Sequence, residues 1–184
     1  VTLTDKHAHS LTLDPTAALL AGDYLYTAAF SSLRSVPDSS PGDCFEVLTA
    51  VLETITEAFA HSYTPTESTE YDQVMFLDEM AGSFGEGAAA LGATLAGIDE
   101  PTRRHCEQLG RGLSTARQIH YVLDTDPSDA MVVPPTVDKS QFRLHAERRR
   151  DDAAQALDTL SEAVDVTGLR AFAEATTIKQ GQQS

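Results

Sequence analysis

The sequence has no tryptophan, only three lysines (Lys6, Lys139 and Lys179) and only two cysteines, Cys44 and Cys106. Two thiols are too few for a disulfide framework, and both read as buried free cysteines. No apolar run reaches the roughly 18 residues that a membrane span needs. The first ten residues lack the charged-then-apolar order of a secretory signal. No segment alternates like a half-buried strand. Basic side chains are scarce as well, 13 against 28 acidic ones, for a formal net charge of −15. That balance argues against a nucleic-acid backbone or an anionic membrane as partner. The expectation is a soluble, cytoplasmic, single helical domain over residues 1–184, with 1–13 and 180–184 as flexible ends.

What basic charge there is sits almost entirely on arginine, ten residues of the 13. High negative charge with depleted lysine suits a cell with a salt-rich interior. Salt screens the self-repulsion of the carboxylates, which also hold water well. The composition therefore points to a halophilic, haloarchaeal source.

The apolar spacing is helical nearly throughout and predicts six helices in an all-α bundle. The first covers Pro15 to Val36, with Asp14 as N-cap and Pro15 at the first helical position. It is apolar on almost every face from Ala17 to Phe30, which predicts burial. The second runs from Cys44 to Ser62, with Phe45, Leu48, Leu52, Ile55 and Phe59 as its inward stripe. The third, Glu70 to Ala96, is crowded with glycine and alanine after Gly82, which means either a break or a very close neighbour. Asp99 caps the fourth, Glu100 to Leu123, whose seam reads Cys106, Leu109, Leu113, Ala116, His120 and Leu123. The fifth covers Lys139 to Val164 with Phe142, Ala146, Ala153, Leu157, Leu160 and Val164 inward. The sixth covers Gly168 to Ile178.

Most catalytic signatures are missing: there is no phosphate-cradling glycine loop, no nucleophile elbow around Gly82-Ser83-Phe84-Gly85, and no zinc spacing. Asp5, His7 and His9 lie on an expected flexible end. Asp23 stands inside an apolar run, so it is expected either to hydrogen-bond a neighbouring helix or to meet a ligand. Arg117, His120 and Asp124 follow one another at +3 and +4 and so share a helix face. His120 interrupts the seam, either as a satisfied core histidine beside Asp124 or as part of a polar patch at a cavity mouth that Asp78 and Glu79 could also face. Arg148-Arg149-Arg150 followed by Asp151-Asp152 reads as a solvated face.

Taken in order, four segments resemble the trans-isoprenyl diphosphate (polyprenyl) synthases. Leu19-Leu20-Ala21-Gly22-Asp23-Tyr24-Leu25 through Phe30 resembles the family's Gly-Asp helix. Ala81-Gly82-Ser83-Phe84 with Ala90-Leu91-Gly92-Ala93 is similar to its Thr-Gly-Ser helix. Leu109-Gly110-Arg111 through Leu123-Asp124 looks like the helix that carries its second aspartate-rich motif. Ala156 to Leu160 and Leu169 to Phe172 resemble its last two helices. The likeness covers Pro15 to Lys179 and implies a trimmed isoprenoid synthase fold.

The departures decide what the likeness implies for function. Active members hold an allylic diphosphate through magnesium on two aspartate-rich motifs. No aspartate pair lies among the 22 residues ahead of Asp23. The family's diphosphate-binding lysine falls on Met80. Aligned on Asp124, the second aspartate pair becomes His120 and Tyr121; aligned on Gly110, it becomes Tyr121 and Val122. None of these replaces the hard oxygen ligands that magnesium needs. The resemblance therefore implies a chain without catalysis of its own and without a cofactor: a homodimer, or a heteromer with an active prenyl synthase, and a possible binder of isoprenoids at Asp23, Arg117, His120 and Asp124. Two alternatives remain. One is a prenyltransferase-type enzyme, with magnesium, in which Arg117, His120, Asp124 and Asp126 handle a diphosphate. The other is an unrelated helical interaction protein.

Overall fold

The computed structural model describes residues 15–35, 41–63, 73–124 and 139–178. Helix α1 spans Pro15–Ser32 and continues into a 3-10 turn, Leu33–Ser35. Then come α2 (Pro41–Tyr63), α3 (Gln73–Leu95), α4 (Glu100–Asp124), α5 (Lys139–Ser161) and α6 (Thr167–Ile178). Among the described residues there is no strand, and the all-α bundle follows. Asp5, Asp14, His7, His9, Asp126 and the two terminal segments lie outside the described residues.

Helix α4 is the hub. It packs along α3 on one side and α5 on the other, α2 lies on the far side of α3, and α6 touches α4 lightly. Two apolar clusters result. One gathers Phe76 and Leu77 of α3, Ala116 and Ile119 of α4, and Phe142 and Ala146 of α5. The other gathers Leu109 of α4, Ala153, Leu157 and Leu160 of α5, and Val166. The inward residues expected on α5 are buried, except Val164, which lies beyond the helix end and is exposed.

The α3–α4 junction shows how sequence sets a boundary. Gly97 adopts φ +66°, a left-handed conformation open to glycine at no steric cost. Around it Ile98 N–H donates to Ala93 O and Gly97 N–H to Thr94 O, the paired bonds of a Schellman helix end. Two residues on, Asp99 accepts from Thr102 N–H at 2.9 Å and caps α4, as the sequence predicts. That bond holds the exposed Asp99 carboxyl below the usual carboxylate range.

The glycines of α3 do not break it. They mark close approach. A Cβ on Gly85 would collide with the Gly110 backbone, and one on Gly110 with the Gly85 backbone. On the other flank of α4, a Cβ on Gly112 would stand 2.5 Å from the Arg149 carbonyl oxygen. These contacts rotate the α4 seam. Its buried residues are Leu109, Gly112, Thr115, Ala116, Ile119 and Val122, roughly one position behind the expected set. Small residues win the interior because they let the backbones meet, and His120 is left at the edge, half-buried.

Three further expectations are corrected. Helix α1 is not buried: every residue from 20 to 29 is exposed, because beyond the 3-10 turn that continues it α1 meets no apolar wall among the described helices. Its link to α2 is a chain of rings, Tyr26 to Phe30 at 5.2 Å and Phe30 to Phe45 at 5.3 Å. The α2 stripe is only half-covered and Phe45 is exposed, while Cys44 and Ala58 take the fully buried positions. Cys106 is half-buried rather than buried.

Candidate functional site

Two features stand out between the helices, one charged and one apolar.

The charged feature centres on Asp78, a buried carboxylate on α3. It follows Val74-Met75-Phe76-Leu77, so the helical repeat carries it inward with its apolar neighbours. Arg149 of α5 grips it bidentately, with Nε donating to Oδ1 at 2.7 Å and Nη2 to Oδ2. Arg111 of α4 reaches Oδ2 at 3.4 Å and spends its other amino group on Glu86. His145 Nε2 stands 3.3 Å from Oδ1. Burial by itself would raise the Asp78 carboxyl, but the Arg149 hydrogen bonds and charge, the His145 hydrogen bond and the Arg111 charge outweigh it. The group sits below its ordinary value. Arg149 in turn is held even more firmly charged by the Asp78 hydrogen bonds. In sequence, Arg111 and Arg149 fall between the residues of the two apolar clusters, so the ion cluster ties three helices together where the two halves of the core meet.

Beside this cluster a cleft of about 470 Å³ opens between α4 and α5, lined by His105, Gln108, Arg111, Arg149, Asp152 and Thr159 among others. The arginines facing it already hold Asp78, Glu86 and Asp152. Three carboxylates against two guanidiniums leave no excess positive charge for an anion.

The apolar feature is a groove of about 600 Å³ between α3, α4 and α6. It is lined by the small residues Gly85, Ala88, Ala89, Gly92 and Ala93 of α3 and Gly110 of α4, together with Phe84, Leu113, Leu169 and Phe172. Arg117 is the single charged side chain among its lining residues. The cavity size and the ratio of one ion to many apolar atoms fit a site for an apolar ligand with one polar end. The glycine and alanine of α3 that allow close helix contact at Gly85 leave room along the groove, where a Cβ on Gly92 would meet nothing within 4 Å.

The four residues singled out from the sequence do not form one site. Asp23 is exposed on α1 and is not a core aspartate. Arg117 lies exposed at the groove. His120 turns toward α5: its Nε2 is buried and has no hydrogen-bond partner. Burial, then the charges of Arg150 and Arg143, push its pKa down against the pull of Asp124 and Glu147. It is thus neither a satisfied core histidine nor part of a patch with Asp78, whose histidine partner is His145. Asp124 is exposed at the helix end. Arg149, read as part of a solvated run, is the chief partner of Asp78, whereas its neighbour Arg148 is exposed.

The same signal marks Asp23 and Asp78, a carboxylate within an apolar run. Only the second has arginines within reach, and that pairing across 33 and 71 residues is invisible in one dimension.

Magnesium, which the enzyme alternative would need, does not fit the donors present among the described residues. Met80 packs against the first apolar cluster, Val122 is buried, and Tyr121 is exposed. The buried Asp78 carboxylate is already taken by cations. Among the described residues, no three His, Cys, Asp or Glu side chains converge to hold a metal ion. No helix among them is long and apolar enough to cross a membrane. No family model, no curated protein and no solved structure matches the chain.

Proposed function

We propose that this chain is a degenerate relative of the trans-isoprenyl diphosphate synthases that binds an isoprenoid-type chain without transforming it, as a homodimer or alongside an active synthase. The observation that carries the reading is the groove between α3, α4 and α6: apolar along its length and bounded by one cation, Arg117. A hydrocarbon chain gains about 0.8 kcal/mol for each methylene it buries. Arg117 offers a planar fork of donors to a phosphate or hydroxyl at the chain's polar end. Catalysis in this family requires the leaving diphosphate to be neutralised as it departs. Arg117, His120 and Asp124 are spread over separate surroundings, so the residues do not converge on that task. Binding that is equal in ground and transition states gives no turnover.

The test combines binding with turnover. A fluorescent geranylgeranyl diphosphate analogue is titrated into the protein in molar potassium chloride, with geranylgeraniol as competitor. Saturable binding is expected, and Gly92→Phe should abolish it by filling the groove without a backbone clash. With an allylic diphosphate, isopentenyl diphosphate and magnesium, no longer product is expected. Absence of binding by the wild-type chain, or magnesium-dependent elongation by it, would overturn the reading.

A further inference from the structure

Helix α1 carries one charged residue, Asp23, in 18 residues of otherwise apolar or neutral character. A helix apolar on every face is stable when enclosed. Yet Leu20 is 61% exposed, Tyr24 73% and Leu25 67%. Elsewhere on the chain, the groove between α3, α4 and α6 has the opposite deficiency: an apolar trough with one cation that no described residue fills. Among the described residues, Asp23 makes no ion pair and neither does Arg117.

We infer that α1 of one copy docks in the groove of a second copy, with Asp23 against Arg117 of the partner subunit. Leu20, Asp23, Tyr24 and Thr27 share one face at i, i+3, i+4 and i+7. Thr27 Oγ1 already donates to the Asp23 carbonyl at 2.8 Å, so its hydroxyl needs no partner in an apolar trough. The small residues at Ala88, Ala89 and Gly92 let a helix approach closely. Charge selects the pairing. Two copies of a −15 chain repel, and they meet most readily through the element with a single carboxylate and the groove with a single guanidinium. The exchange is reciprocal, so a two-fold dimer closes with both grooves filled. The inference goes beyond the isoprenoid reading and does not need it; where both hold, α1 and the hydrocarbon chain compete for one groove.

Sedimentation in molar potassium chloride tests it, without any ligand. The wild-type chain is expected to be a dimer. Asp23→Arg and Arg117→Asp should each weaken it by on the order of tenfold, and the double variant should restore it. A monomeric wild type, or a dimer indifferent to both single charge reversals, would overturn the inference. A dimer that behaves as expected but binds no isoprenoid analogue leaves it standing and removes only the ligand reading.

Discussion

At the scale of the residue, Asp78 is the group on which most depends. Its carboxylate is buried and answered by Arg149, Arg111 and His145. Removing it leaves two partly buried guanidiniums without their counter-charge. Losses of about 3 to 5 kcal/mol are usual on breaking a buried pair, and the quarter exposure of both arginines places Asp78→Asn nearer about 3. Urea denaturation in molar salt measures this, and an unchanged midpoint would refute it. The pH dependence has a definite sign. The folded pKa lies below the ordinary 3.8, so the stabilisation is fully present above that value and is lost as pH falls through the folded pKa. Below that value the stability of wild type should therefore fall with pH more steeply than that of Asp78→Asn, which has no carboxyl at this site to protonate. The difference in slope should appear below pH 3.8 and be absent above it, as followed by circular dichroism.

At the scale of the element, the glycines of α3 and α4 divide into two kinds. Gly85 and Gly110 face each other's backbone, and any Cβ there would force the helices apart. Gly92 sits on an exposed stretch of the same helix with nothing within 4 Å of a Cβ. Gly110→Ala should cost about 1 to 3 kcal/mol through overpacking. Gly92→Ala should stabilise by up to about 1 kcal/mol through helix propensity. Thermal melts of the two variants side by side check both, and equal effects would mean that close approach does not govern α3 against α4. Surface ion pairs such as Arg103 with Glu100 and Glu107 contribute little beside this.

At the scale of the whole molecule, charge governs. A chain of net charge −15 in dilute buffer repels itself. Screening at molar salt shortens the reach of that repulsion to about 3 Å. The melting temperature should rise from low to molar potassium chloride, and one that stays constant would argue against adaptation to a salt-rich cell. The effect should remain in Asp78→Asn, because the repulsion belongs to the whole surface and not to one buried cluster.

The sequence alone determined the helices, and the reason is local. Capping at Asp99, the glycine at position 97 and the helical repeat of α5 each act within one or two turns, so single-chain spacing records them. Net charge and the scarcity of lysine are also properties of composition. The tertiary structure decided which faces are enclosed. Helix α1 is apolar enough to be buried, but burial needs a wall, and the described chain supplies none. The α4 seam shifted because Gly110 and Gly112 admit backbone contacts that apolar spacing does not encode. Asp78 met Arg149, and not His120, because α5 crosses α4 at Gly112 and brings Arg149 to α3. The groove likewise exists only where three helices meet; the small residues that line it are ordinary in the sequence and become a site through what surrounds them.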